Sequence, residues 1–175
     1  MKFLKLTVLS VVLSSVAYSQ KYEPGKPFFI AQFAYNKIEK ATGTIGGTAS
    51  LGVRFKQTFG VAVHTQLIQF SGDGNAYIPL ALQLSFLPEK LKPSPYFHAA
   101  LGHGFYKRVV APNTFVAGSA FLTFGGGLFV GSKKGGGILL TASYFNAAFK
   151  YNSNLSRGTK IPNAEGVQVA LGFKI

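Results

Sequence analysis

The last eleven residues, Glu165–Ile175, alternate between two kinds of side chain. Val167, Val169, Leu171, Phe173 and Ile175 fall on one face, and Gly166, Gln168, Ala170, Gly172 and Lys174 on the other. Successive strand residues point to opposite sides, so a period of two predicts a strand with one apolar face. The pattern recurs in Thr44–Lys56, where Ile45, Ala49, Leu51, Val53 and Phe55 oppose Thr48, Ser50, Gly52, Arg54 and Lys56. It recurs again where Ile78, Leu80, Leu82, Leu84 and Phe86 oppose Pro79, Ala81, Gln83 and Ser85. A soluble β-sandwich alternates too, but its outer face is charged. Here the second face carries Gly, Ala, Ser, Thr and Gln, which suit a narrow lumen filled by side chains. The apolar face suits contact with lipid.

The same reading predicts eight strands: Pro27–Ile38, Thr44–Lys56, Phe59–Phe70, Tyr77–Leu87, Tyr96–Arg108, Phe115–Gly131, Gly137–Asn152 and Glu165–Ile175. The expected fold is all-β, an eight-stranded antiparallel transmembrane barrel. An even strand count puts both termini on the periplasmic side. The outer loops are then Glu39–Gly43, Ser71–Ala76, Val109–Thr114 and Ser153–Ala164. Eight strands enclose a space that side chains fill, which argues against a general pore. Strands and loops of these lengths are not expected to rise far outside the membrane. Phe28, Phe29, Tyr35, Phe59, Tyr77, Phe86, Tyr96 and Phe173 lie near strand ends, where aromatic girdles form.

Composition fits an exported membrane barrel. Charged residues are 13% of the chain, about half the usual share. Residues 1–19 have Lys2 and Lys5, an apolar run to Val16 and a small-x-small site at Ala17–Ser19, the layout of a signal peptide. Residues 20–175 are expected to form one barrel domain. There is no cysteine, so no disulfide and no thiolate metal site forms. The net charge is +13, or +11 without the two leader lysines. In an exported chain that charge points to lipid phosphates and lipopolysaccharide rather than nucleic acid. Lys37, Lys40, Lys107, Arg108, Lys150, Arg157 and Lys160 are the candidate lipid-phosphate contacts on the outer side.

Arg54, His64, Gln66, Gln83, Gln168 and Lys174 are expected in the lumen as a structural polar plug. His98 and His103 stand five apart, on opposite strand faces, and cannot chelate one metal together. No metal or other cofactor is expected.

The stretch from Asn146 to Asn163 reads NAAFKYNSNLSRGTKIPN. With the last two strands it resembles the outer-membrane lipid A 3-O-deacylases, the PagL or acyloxyacyl hydrolase-like family. That family is an eight-stranded barrel with a His-x-Ser-Asn signature near the outer end of its seventh strand. A Glu follows at the start of the eighth. The resemblance implies Ser153 as nucleophile, Asn154 at the oxyanion and Glu165 as the residue that orients the base. Where the family places its His, this chain has Tyr151. A serine needs an adjacent base, and a phenol with a pKa of about 10 is a poor one. Odd positions of the seventh strand, Leu139, Phe145, Phe149, Tyr151 and Ser153, are read as facing lipid together with Glu165.

Three functional classes therefore stand. The main reading is a non-enzymatic outer-membrane barrel that is structural, contacts lipopolysaccharide or binds a further envelope protein. The second is a lipid A deacylase-like serine esterase with an altered site. The third, a soluble barrel for an apolar ligand, needs large apolar residues in the lumen.

Overall fold

In the computed structural model, residues 25, 27–38, 43–55, 58–69, 76–88, 93–110, 113–131, 136–149 and 164–175 are described. Of these, 106–110, 113–117, 148, 149 and 164 are described by backbone only. The strands are β1 (Pro27–Ile38), β2 (Thr44–Phe55), β3 (Phe59–Gln69), β4 (Ala76–Phe86), β5 (Ser94–Val110), β6 (Asn113–Gly131), β7 (Gly137–Phe149) and β8 (Ala164–Lys174). Each pairs antiparallel with its neighbour in sequence, and β1 closes onto β8. Closure leaves no sheet edge around the wall, which satisfies the backbone without water.

Alternation decides what faces where. On β8, Val167, Val169, Leu171 and Phe173 point outward and Gly166, Gln168, Ala170, Gly172 and Lys174 inward. On β4, Ile78, Leu80, Leu82 and Leu84 are outward and each at least half exposed. Phe55, Phe59, Phe86 and Phe97 stand opposite one another across β2 to β5 and form an aromatic row at the end of the barrel that carries the termini. Phe59 meets Phe86 edge-on at 5.2 Å, and Phe86 lies 6.3 Å from Phe97.

The lumen is filled in three layers. Phe28, Ile30, Leu87, Tyr96, Phe129 and Leu139 seal the terminal end. Ile38, Ile68, Tyr77, Phe121, Phe145 and Ala147 seal the far end. Two inward rings need glycine opposite them. A side chain at Gly104 would overlap the Tyr77 ring, and one at Gly166 would overlap the Lys37 carbonyl of β1 and press on the Phe145 ring at 3.0 Å.

Four expectations change. First, Phe28, Tyr77 and Tyr96 are buried in the lumen rather than placed in a girdle. They share parity with inward residues, and their rings plug the barrel. Second, the odd positions of β7 face inward. Leu139, Thr141, Ser143 and Phe145 are buried, while Ile138 and Leu140 are exposed. The two large odd residues are plug residues, one in each apolar layer. Third, of the expected outer loop Val109–Thr114, residues Val109, Val110, Asn113 and Thr114 are strand. β5 and β6 run 17 and 19 residues and pair as far as Val110 with Asn113. A membrane crossing needs only ~9–11 residues. Among the described residues, 113–118 of β6 lie past the last β7 partner, Ser119 with Phe149. On the other side β4 still pairs with β5 as far as Lys107, so the ribbon free of both neighbours is 108–110 with 113–115 and, at ~3.3 Å per residue, rises about 10 Å along the strand beyond the described wall. Fourth, the lumen does hold large apolar residues, contrary to the reading of its strands as lined only by small and polar ones. They fill it from both ends.

Candidate functional site at the far rim

The middle lumen layer is polar and internally hydrogen-bonded. Ser50 donates to Gln83 Oε1 at 3.0 Å and meets His64 Nδ1 at 2.9 Å. Because the Ser50 proton goes to Gln83, His64 Nδ1 is the donor to Ser50 in this network. Gln83 Nε2 donates to Tyr96 at 2.9 Å. Asn36 Oδ1 accepts from Gln168 Nε2 at 2.8 Å and from Gln66 Nε2 at 3.3 Å, and so ties β1 to β3 and β8. Gln32 Nε2 donates to Thr141 at 3.0 Å. A water-sized void between these groups is lined by Gln32, Ser50, His64, Gln83, His98 and Thr141 among others. That holds about one water and no larger ligand. Among the described residues, two inward cations sit over rings at the terminal end: Arg54 lies 5.8 Å from the Phe28 ring centre and Lys174 lies 5.0 Å from that of Phe129. All six lumen residues expected from sequence are buried there. His98 points in and His103 out, as their spacing requires.

The outward face holds a second polar group. Asn146 of β7 pairs with Glu165 of β8 at the far end of the wall. Both side chains, with Tyr144, project outward and are partly exposed. Tyr144 donates its hydroxyl to Glu165 Oε2 at 2.9 Å, and Asn146 Nδ2 donates to the same oxygen at 3.3 Å. The Tyr144 ring rests 5.5 Å from Phe124. Lys37 is exposed on β1, opposite Val167 and thus diagonal to Glu165 on the same face.

Of the residues expected to act, Glu165 and Lys37 stand in this patch. Lys107 and Arg108 lie on the β5–β6 ribbon, described by backbone only. Lys40, Lys150, Tyr151, Ser153, Asn154, Arg157 and Lys160 lie outside the described residues. The expected shared face of β7 odd positions with Glu165 does not hold. Up to Ala147 the odd positions of β7 face the lumen, while Glu165 faces outward. Tyr144 and Asn146 were missed by the sequence reading. The signal for them is the even series Ile138, Leu140, Ala142, Tyr144, Asn146, which turns from apolar to polar along one face.

No family model matches the chain, and no curated protein matches it. Among solved structures it is similar to Neisserial surface protein A, at 13% identity over 87% of this chain and 99% of that one, with a TM-score of 0.67. It is also similar to two Pseudomonas aeruginosa proteins. The N-terminal β-barrel domain of OprF matches at 12% identity over 86% of this chain and 99% of that one, TM-score 0.53. The outer membrane protein OprG matches at 13% identity over 89% and 97%, TM-score 0.51. The fold is that of the small eight-stranded β-barrels of outer membranes.

Proposed function

We propose that this protein is an integral outer-membrane barrel without enzymatic activity, whose far rim contacts lipopolysaccharide. The observation that carries the reading is a lumen sealed at both ends inside a continuous outward apolar belt. A sealed lumen has nothing to conduct, and an exposed belt of Leu, Val, Phe and Ile needs a hydrocarbon layer to cover it. On this reading the leader and the excess of basic residues direct the chain to a membrane whose outer face is anionic. Lys37, Lys40, Lys107, Arg108, Lys150, Arg157 and Lys160 pair there with lipid phosphates.

A deacylase using Ser153, Asn154 and Glu165 is the second reading. Glu165 favours it, being held in place at the far rim by two donors. Tyr151 in place of the base weighs against it, as does the inward phase of β7 below the motif. Mass spectrometry of lipid A from cells with the protein, without it and with Ser153→Ala separates the two. Identical lipid A in all three is expected. Loss of one hydroxyacyl chain that depends on Ser153 would overturn the non-enzymatic reading.

A further inference from the structure

We propose that Tyr144, Asn146 and Glu165, with Lys37 beside them, form a headgroup site for one phosphorylated glycolipid. The inference rests on the outer-membrane reading and assigns it a place. The first argument is height. On β8 the outward run from Phe173 to Glu165 is eight residues, and the run from Ile138 to Asn146 on β7 is the same. So is that from Phe29 to Lys37 on β1. With ~3.3 Å per residue and a tilt of ~40°, eight residues climb about 20 Å, close to the ~25 Å of an apolar barrel band. Three adjacent strands thus turn polar together, where hydrocarbon gives way to headgroups.

The second argument is chemistry. A carboxylate placed deeper would be costly, and here it accepts two hydrogen bonds on one oxygen. A carboxylate accepts from hydroxyls, a carboxamide both donates and accepts, and an aromatic face stacks on the apolar side of a sugar ring. Tyr144 against Phe124 supplies that face. Lys37 supplies a cation diagonal to the carboxylate, suited to a phosphate on the same sugar. This set fits a phosphorylated amino sugar better than a phosphatidylethanolamine headgroup, which offers no hydroxyl.

The test uses the full chain in nanodiscs containing bisphosphorylated lipid A and phosphatidylethanolamine, with bound lipid read by native mass spectrometry. Glu165→Gln, Tyr144→Phe with Asn146→Leu, and Lys37→Gln are compared with Gln69→Ala, an outward change at the far end of β3. Folding of each variant is checked by its heat-dependent gel migration. A photoreactive residue at Ala142, one step below the patch on the same face, captures the lipid without disturbing the site. Retention of lipid A that falls at least tenfold in the patch variants alone, with lipid A captured at 142, is the expected result. Equal loss in Gln69→Ala, or phosphatidylethanolamine alone captured at 142, would overturn the site. Lipid A held equally by wild type and patch variants would also overturn it while leaving the proposed function standing. A folded wild type that holds no lipid A would remove both.

Discussion

Replacing Asn36 separates a polar lumen network from simple packing. Asn36 is fully buried, and its Oδ1 accepts from Gln66 and Gln168. Asn36→Leu keeps the branched four-atom shape of the side chain, with larger terminal groups, and strands two buried amide donors. Each stranded group costs ~1–3 kcal/mol, so about 2–6 kcal/mol is lost. The Asn36 Nδ2 has no hydrogen-bond partner in the wild type, so its removal returns ~1–3 kcal/mol of that. The net loss is about 1–3 kcal/mol. Asn36→Ala strands the same donors but leaves room for a water that satisfies them, so it should cost about 1 kcal/mol or less. A packing account predicts the reverse order, because Ala opens a cavity and Leu fills it. Urea unfolding of the barrel in vesicles, followed by the shift between folded and unfolded gel bands, reads the two variants. Asn36→Ala less stable than Asn36→Leu would refute the network argument.

Leu82→Arg places a charge at the middle of the outward belt of β4 and should cost ~2–4 kcal/mol, against ~0–1 for Val167→Arg near the far rim. Folding titrations in the same vesicles check the gradient with depth. Phe121→Ala empties the centre of the far-end plug, where Phe121 touches Tyr77 at 6.0 Å and His64 at 6.4 Å between ring centres. It should cost ~3–5 kcal/mol. It should open no conductance in a planar bilayer, because the layer of Phe28, Tyr96, Phe129 and Leu139 still closes the other end.

Strand positions were legible because the period of two is written on β2, β4 and β8 without interruption. The predicted Pro27–Ile38 is the observed β1, and most other ends move by one or two residues. The phase of β7 was not legible. Ile138 and Leu140 face outward, Leu139 and Phe145 inward, and both sets are equally apolar. A sealed lumen demands large hydrophobes at its ends, so hydrophobicity alone does not say which side is lipid. The lumen places of Phe28, Tyr77 and Tyr96 were not legible for the same reason. The length of the β5–β6 ribbon was not legible, because Ala111-Pro112 lies inside a stretch whose Val109, Val110 and Thr114 suit a strand as well as a loop edge. At the rim, Glu165 and Lys37 stood out by charge. Tyr144 and Asn146 did not, because neutral polar groups acquire meaning only once the register puts them beside a carboxylate.

The central claim is a closed, filled barrel with lipid on its outer face, and β7 tests it most directly. The chain has no cysteine, so single Cys substitutions from 138 to 145 carry a label at one known site each. Reconstituted in vesicles, labels at 138, 140 and 142 should be quenched by a lipid-soluble agent, and those at 139, 141, 143 and 145 should be protected. A flat profile would contradict the alternating wall, and quenching at the odd positions would contradict the inward phase of β7.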